Sequence, residues 1–228
     1  MGNTSITMKA PVIAIDGPSA SGKGTIARRV AAKLAFHYLE SGALYRVIAL
    51  FSLRQATLDE SRLAEFAVAM AVHFPDEQIV FEKQDISAAI RTEDCSTRAS
   101  EIARLPGVRQ ALLQRQRAFR QPPGLVADGR DMGTVVFPDA SLKVFLTASA
   151  EVRAERRYKQ LIDKGNHANL RALSGDLEKR DARDANRAIA PLVPAPDAQV
   201  LDSSALSIDA VVDRIVGWCK ERALGGRA

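Results

Sequence analysis

The sequence predicts an α/β protein: a three-layer α/β/α core built on a parallel sheet, with two excursions from it. Three observations carry that expectation. Short runs at 12–15 (VIAI), 125–127 (LVA), 142–146 (LKVFL) and 199–201 (QVL) have the length and character of parallel strands buried on both faces. Each run is followed by a turn and then by polar or helical sequence, the rhythm of a doubly wound core. The chain has 228 residues, 46% of them hydrophobic, which suits one core with insertions better than two independent domains.

The elements follow in order. After the first strand, Ile26, Val30 and Leu34 recur every four residues and share one helical face. A fifth, weaker strand is expected at Tyr38 and Leu39. Leu63, Phe66, Ala67 and Met70 mark a helix, and the alternation Gln78-Ile79-Val80-Phe81-Glu82 marks a small antiparallel sheet. Pro106 starts a helix with an apolar stripe of Val108, Ala111, Leu112 and Phe119 and with Arg109, Arg115, Arg117 and Arg120 on its other faces. Residues 151–187 are charge-dense and helical, and Pro191, Pro194 and Pro196 stiffen an extended return to the last strand. Ser207 is placed to cap a final helix that turns Ile208, Val211, Ile215 and Trp218 to the core. Residues 11–40, 106–150 and 188–228 are thus expected to form the core, with 41–105 and 151–187 as excursions and 1–10 as a disordered leader that holds a second candidate start at Met8.

Composition excludes several classes. No run approaches the roughly 20 apolar residues that span a bilayer, and residues 1–11 lack the apolar stretch of a secretory signal, so a cytoplasmic protein is expected. Cys95 and Cys219 stand far apart outside any CxxC pattern and are expected to be reduced. His37, His73 and His167 are isolated, which argues against a histidine metal site. The net charge of +5, from 32 basic and 27 acidic residues, suits a polyanionic ligand. Arginines interleaved with acids at 153–157 and 180–187, without a lysine-rich run, favour a small polyanion over nucleic acid.

The sharpest signal is Gly17-Pro18-Ser19-Ala20-Ser21-Gly22-Lys23, a G-x-x-x-x-G-K pattern between an expected strand and an expected helix. Such a loop curls its N–H groups around a phosphate, the helix adds the positive end of its dipole, and Lys23 adds a charge at the β- and γ-phosphates. Gly17 to Thr25 are therefore expected to bind ATP. The hydroxyl residue usual after the lysine is replaced by Gly24, which leaves Thr25 as the nearest hydroxyl for a magnesium ion whose ligands stay unassigned. No N-K-x-D guanine-reading motif is present, which weighs against a GTPase.

Three further segments suit a second anionic ligand. Ser41-Gly42-Ala43-Leu44-Tyr45-Arg46 offers a stacking ring and a guanidinium fork. Asp128-Gly129-Arg130-Asp131-Met132-Gly133-Thr134 ends a strand at the carboxyl edge of the sheet, where ligands of such folds bind. Arg180, Arg183 and Arg187 recur at i, i+3 and i+7, close to one helical face.

Together these motifs resemble the bacterial cytidylate kinase family over about residues 10–218, most specifically in ADGRDMGTVVFPDA at 127–140 and RDARDANR at 180–187. The resemblance implies a P-loop kinase with a nucleoside-monophosphate-binding insert at 41–105 and a mobile lid at 151–187. It implies ATP and magnesium, with CMP and dCMP as acceptors; a monomer that engages neither nucleic acid nor membrane is expected. The acceptor contacts it implies are Ser41, Tyr45, Arg46, Arg91, Ser100, Arg109, Asp128, Arg130, Asp131, Arg180, Asp184 and Arg187. Arg156, with Arg157 as a lesser candidate, would reach the ATP phosphates, and Lys23, Arg130, Asp131, Arg180 and Arg187 would carry catalysis. Two other readings are a kinase for a different small acceptor, such as a shikimate, and a nucleotide-gated RNA-associated protein.

Overall fold

The computed structural model describes residues 9–74, 78–163, 165, 167–187 and 189–224. Met8 and most of the expected leader lie outside the described residues. In chain order the elements are β1 (Val12–Asp16), α1 (Lys23–Leu34), β2 (His37–Glu40), α2 (Ser41–Arg54), α3 (Glu60–Ala69), β3 (Val72–His73), β4 (Val80–Phe81), β5 (Gln84–Asp85), α4 (Glu93–Ile102), α5 (Pro106–Ala118), β6 (Leu125–Gly129), β7 (Leu142–Thr147), α6 (Ala150–Ile162), α7 (Leu170–Ala185), β8 (Gln199–Asp202) and α8 (Ile208–Glu221).

The main sheet has the order β2-β6-β1-β7-β8, and every pairing in it is parallel. Side chains alternate across a strand, so β1 feeds both layers. Val12 and Ala14 join the cluster packed by α2, α4 and α5, while Ile13 and Ile15 join that of α1 and α8. Cys95 and Cys219 are separate buried thiols, one in each cluster. Parallel pairing also sets all five carboxyl ends on one edge: Asp16 lies level with Gly129, and Glu40 with Asp128. That edge carries the site.

Most expected elements are present. The weak strand at Tyr38 is β2, an edge strand of the main sheet. Pro106 opens α5, and the Ser207 side chain accepts from the Ala210 N–H at the start of α8. The alternation at 78–82 yields only the two-residue β4, in an antiparallel β3-β4-β5 sheet. Ile208 departs from expectation: as the first residue of α8 it is 46% exposed and lines a cleft instead of the core. Three elements lack a clear sequence signal: α2, α4 and a π-helical turn at Met132–Val136. Among the described residues, no helix is long and apolar enough to cross a membrane.

Candidate active site

β1 ends at Asp16, and the chain turns into α1 over the carboxyl edge. A Cβ on Gly17 would overlap the Leu146 carbonyl of β7, so this glycine serves the close approach of loop to sheet. Gly17 and Pro18, both expected to bind ATP, do not line the cleft above, whereas residues 19–25 do. The Pro18 carbonyl instead accepts from Lys23 Nζ at 3.0 Å. Gly22 takes φ 89° as the N-cap of α1 and brings no side-chain cap, which leaves the first N–H groups of the helix to an anion. Burial, reinforced by the Arg130 charge, holds Lys23 well below the usual lysine pKa; a bound polyphosphate would reverse that.

The glycine after the lysine has a physical reason. A Cβ on Gly24 would lie 3.3 Å from Asp128 Oδ2 and 3.7 Å from the Tyr38 hydroxyl. Tyr38 donates to that carboxylate oxygen at 2.7 Å, so a Cβ at position 24 would press on a carboxylate already held by a hydrogen bond. Burial raises Asp128 to about 6, helped by Glu40 and opposed by Lys23 and the Tyr38 hydrogen bond. Ser41 Oγ donates to the Asp128 carbonyl at 2.7 Å. Asp16 accepts the N–H groups of Met132 and Gly133, each at 2.8 Å, and so ties the turn after β6 to β1.

Above that turn, four arginines from three segments converge. Arg130 donates through Nε to Asp184 Oδ2 (2.8 Å) and through Nη2 to Ser19 Oγ (2.8 Å). Arg187, just past the end of α7, reaches back to the other oxygen of Asp184. Arg180 donates to Ser96 Oγ at 3.1 Å, and Arg46 to Glu40 Oε1 at 2.7 Å. Asp184 is only 1% exposed; burial opposes its charge, but Arg130 and Arg187 outweigh burial and hold its pKa below the usual value. Burial, then the Arg130 charge, pushes Arg180 down to about 10. One buried carboxylate thus serves a surplus of guanidinium groups. The Nε atoms of Arg180 and Arg187 and the Ser100 hydroxyl are buried without a partner, an arrangement that costs free energy unless a ligand completes it.

The other expected acceptor residues share the same cleft of about 970 Å³. Arg109 pairs with Asp131 and donates to the Tyr45 hydroxyl at 3.5 Å, and burial lifts Tyr45 to about 12. Arg91 stands exposed on the cleft wall. Arg156 braces the loop from α6, donating to the Ser21 carbonyl (3.2 Å), Ser203 Oγ (3.0 Å) and the Ser203 carbonyl (2.6 Å). Arg157 turns to Glu93 (2.9 Å) and Gln160 (3.0 Å) instead.

Several participants escaped the sequence reading. Arg153 joins the Ser19 carbonyl (3.2 Å) to Asp181 (2.6 Å), linking the phosphate loop to α7. Ser203, Leu206, Ile208 and Val211 line the cleft beyond the loop; the end of β8 on the carboxyl edge was the available signal. Glu40, Tyr38 and Ser96 had no local signal, and Asp16 had only its place beside the loop. Among the described residues, no group of three or more His, Cys, Asp or Glu side chains converges as a metal site.

Comparison with known proteins gives a consistent answer. A family model described as cytidylate kinase matches residues 13–221. The cytidylate kinase of Chromobacterium violaceum is 56% identical over 221 residues, covering 96% of this chain and 100% of that protein. That of Bordetella bronchiseptica is 60% identical over 211 residues, covering 92% of this chain and 95% of that protein. Among solved structures, an uncharacterized protein from Eubacterium ventriosum aligns at a TM-score of 0.50 with 12% identity, over 92% of this chain and 98% of that one, a likeness of fold alone.

Proposed function

The chain belongs to the cytidylate kinase family, and from that premise we propose how its cleft moves a phosphoryl group. The reaction transfers the γ-phosphoryl of ATP to CMP or dCMP, giving ADP and CDP or dCDP. ATP lies on residues 19–25 and Arg156, its base against Leu206, Ile208 and Val211 and its β- and γ-phosphates at Lys23 and the free N–H groups of α1. The acceptor phosphate lies among Arg46, Arg130, Arg180 and Arg187. The acceptor base and sugar meet Ser41, Tyr45, Arg91, Ser100, Arg109, Asp128, Asp131 and Asp184. The observation that carries this reading is the guanidinium surplus around Asp184, with buried Arg180 Nε, Arg187 Nε and Ser100 Oγ unpartnered.

The acceptor phosphate is anionic near neutral pH, so no strong general base is needed. Lys23, Arg130, Arg180 and Arg187 hold the two anions in line and oppose the charge that develops between them. Asp131 acts by fixing Arg109. The α6–α7 hairpin serves as a lid over residues 41–105, carrying Arg156, Arg180 and Asp184 to the nucleotides and excluding water.

The cleft also suits magnesium, which uses few protein carboxylates and keeps several waters. The Asp128 carboxylate beside Gly24 would face the metal's waters, with the Thr25 hydroxyl as a second group. When bound, the ion neutralises phosphate charge. A monomer in the cytoplasm, with access to both nucleotides, completes the reading. The test is a coupled assay with CMP, dCMP, UMP and AMP, with and without magnesium. Turnover with CMP and dCMP well above the others supports the reading; equal turnover with AMP overturns the acceptor assignment.

A further inference from the structure

We infer that Ser96, on α4, is a positioning residue for the transfer: it aims Arg180 at the acceptor and, with Glu93, fastens the acceptor-binding segment to the lid. The inference rests on the reading of the cleft given above.

α4 is fixed on one side and polar on the other. Cys95, Ala99 and Ile102 lie in the same buried cluster as Ala43, Val47 and Ile48 of α2, and the Cys95 thiol donates to the Arg46 carbonyl at 3.2 Å. Ser96 and Ser100, one helical turn apart, line the cleft instead. The two neighbours Cys95 and Ser96 therefore hold Arg46 by its main chain and Arg180 by its guanidinium. Glu93, one turn earlier, reaches Arg157 of α6 at 2.9 Å. α4 thus touches both lid helices, α6 through Arg157 and α7 through Arg180.

Arg180 needs such a guide. The charges of Arg130 and Arg46 oppose it, and those of Asp184 and Glu93 attract it. Both oxygens of Asp184 already serve Arg130 and Arg187. An uncharged hydroxyl can fix the orientation of Arg180 without cancelling the charge the acceptor phosphate needs, and it leaves Nε open. The links to the lid are polar and separate without exposing apolar core, unlike the α2–α4 packing. They are placed to transmit closure between acceptor and donor sides, a coupling that must be reciprocal.

The test compares full-length Ser96→Ala, Ser96→Thr and Glu93→Gln with the parent. It reads kcat, both KM values, melting temperature, and the Kd of CMP with and without a non-hydrolysable ATP analogue. Ser96→Ala is expected to lower kcat roughly 10-fold and to reduce the mutual tightening of the two nucleotides at an unchanged melting temperature. Ser96→Thr, which keeps the hydroxyl, restores both; Glu93→Gln weakens the tightening with a smaller effect on kcat. Parental kcat and tightening in Ser96→Ala, or a loss shared equally by Ser96→Thr, overturns the inference. CMP binding by the parent separately tests the cleft assignment.

Discussion

Replacing Asp184 by asparagine tests the electrostatic logic of the site directly. The carboxylate is 1% exposed and holds Arg130 through one oxygen and Arg187 through the other. Asparagine keeps the shape but offers one accepting oxygen, and it points an NH2 group at one of the two guanidinium groups. Arg130, Arg180 and Arg187 then lose their shared buried counter-charge. Breaking a buried pair from one side costs about 3–5 kcal/mol, and solvent screening offers little discount at this exposure. For a chain of this size each kcal/mol lowers the melting temperature by about 2–4 °C, so a fall of roughly 6–20 °C is expected in a fluorimetric melt at neutral pH. An anion that replaces the charge should recover part of it, so millimolar inorganic phosphate should raise the variant's melting temperature more than the parent's. The same pair carries a pH signature. Asp184 has a depressed pKa in the folded state, so its contribution is full above the unfolded-state carboxylate range and lost as pH falls through the folded value. A variant that melts within about 2 °C of the parent, with the same acid dependence and no extra response to phosphate, would refute the reasoning.

Four other outcomes follow from the geometry. Lys23→Met should lower kcat at least about 100-fold while the fold persists, since the lysine supplies charge to the moving group; near-parental turnover removes it from the mechanism. Gly24→Thr, which installs the residue usual for the loop, should instead lower kcat/KM roughly 10-fold, because its Cβ would press on Asp128 Oδ2 at 3.3 Å; an active variant would show that the Asp128–Tyr38 pair yields easily. Asp128, lifted to about 6 chiefly by burial, should place an acidic limb near pH 6 in kcat/KM, with activity lost as the carboxylate is protonated. Tyr38→Phe removes a donor that lowers this pKa, so the limb should move upward by about one pH unit; a fixed limb would detach Asp128 from the profile.

Much of this molecule is legible locally. The phosphate loop can be read because G-x-x-x-x-G-K, the strand before it and the helix after it are contiguous in sequence. β1 and β6 are legible because burial on both faces leaves short apolar runs, whereas β7 carries Lys143 and the edge strand β8 buries only Leu201, with Val200 61% exposed. The edge strand β2 is faint because only Leu39 of its four residues is fully buried, which leaves no apolar run. α2 and α4 leave little trace for a related reason: their buried faces include small and polar residues, of which Ser41, Ser96 and Ser100 line the cleft and Ser52 closes the turn after α2 by donating to the Thr57 carbonyl.

Pattern and family resemblance together name most charged groups expected at the site, such as Arg130 between Asp128 and Asp131 at a strand end. Neither says which arginine meets which carboxylate. Arg130 finds Asp184 across 54 residues, and Tyr38 finds Asp128 across 90. Those meetings follow from the strand order β2-β6-β1 and the path of the α6–α7 hairpin. The chemical parts are therefore a property of the sequence, because a side chain's charge and a loop's conformational preference belong to nearby residues. Their pairing, burial and shifted pKa values belong to tertiary structure alone, because electrostatic energy depends on distances and solvent exclusion that only packing establishes.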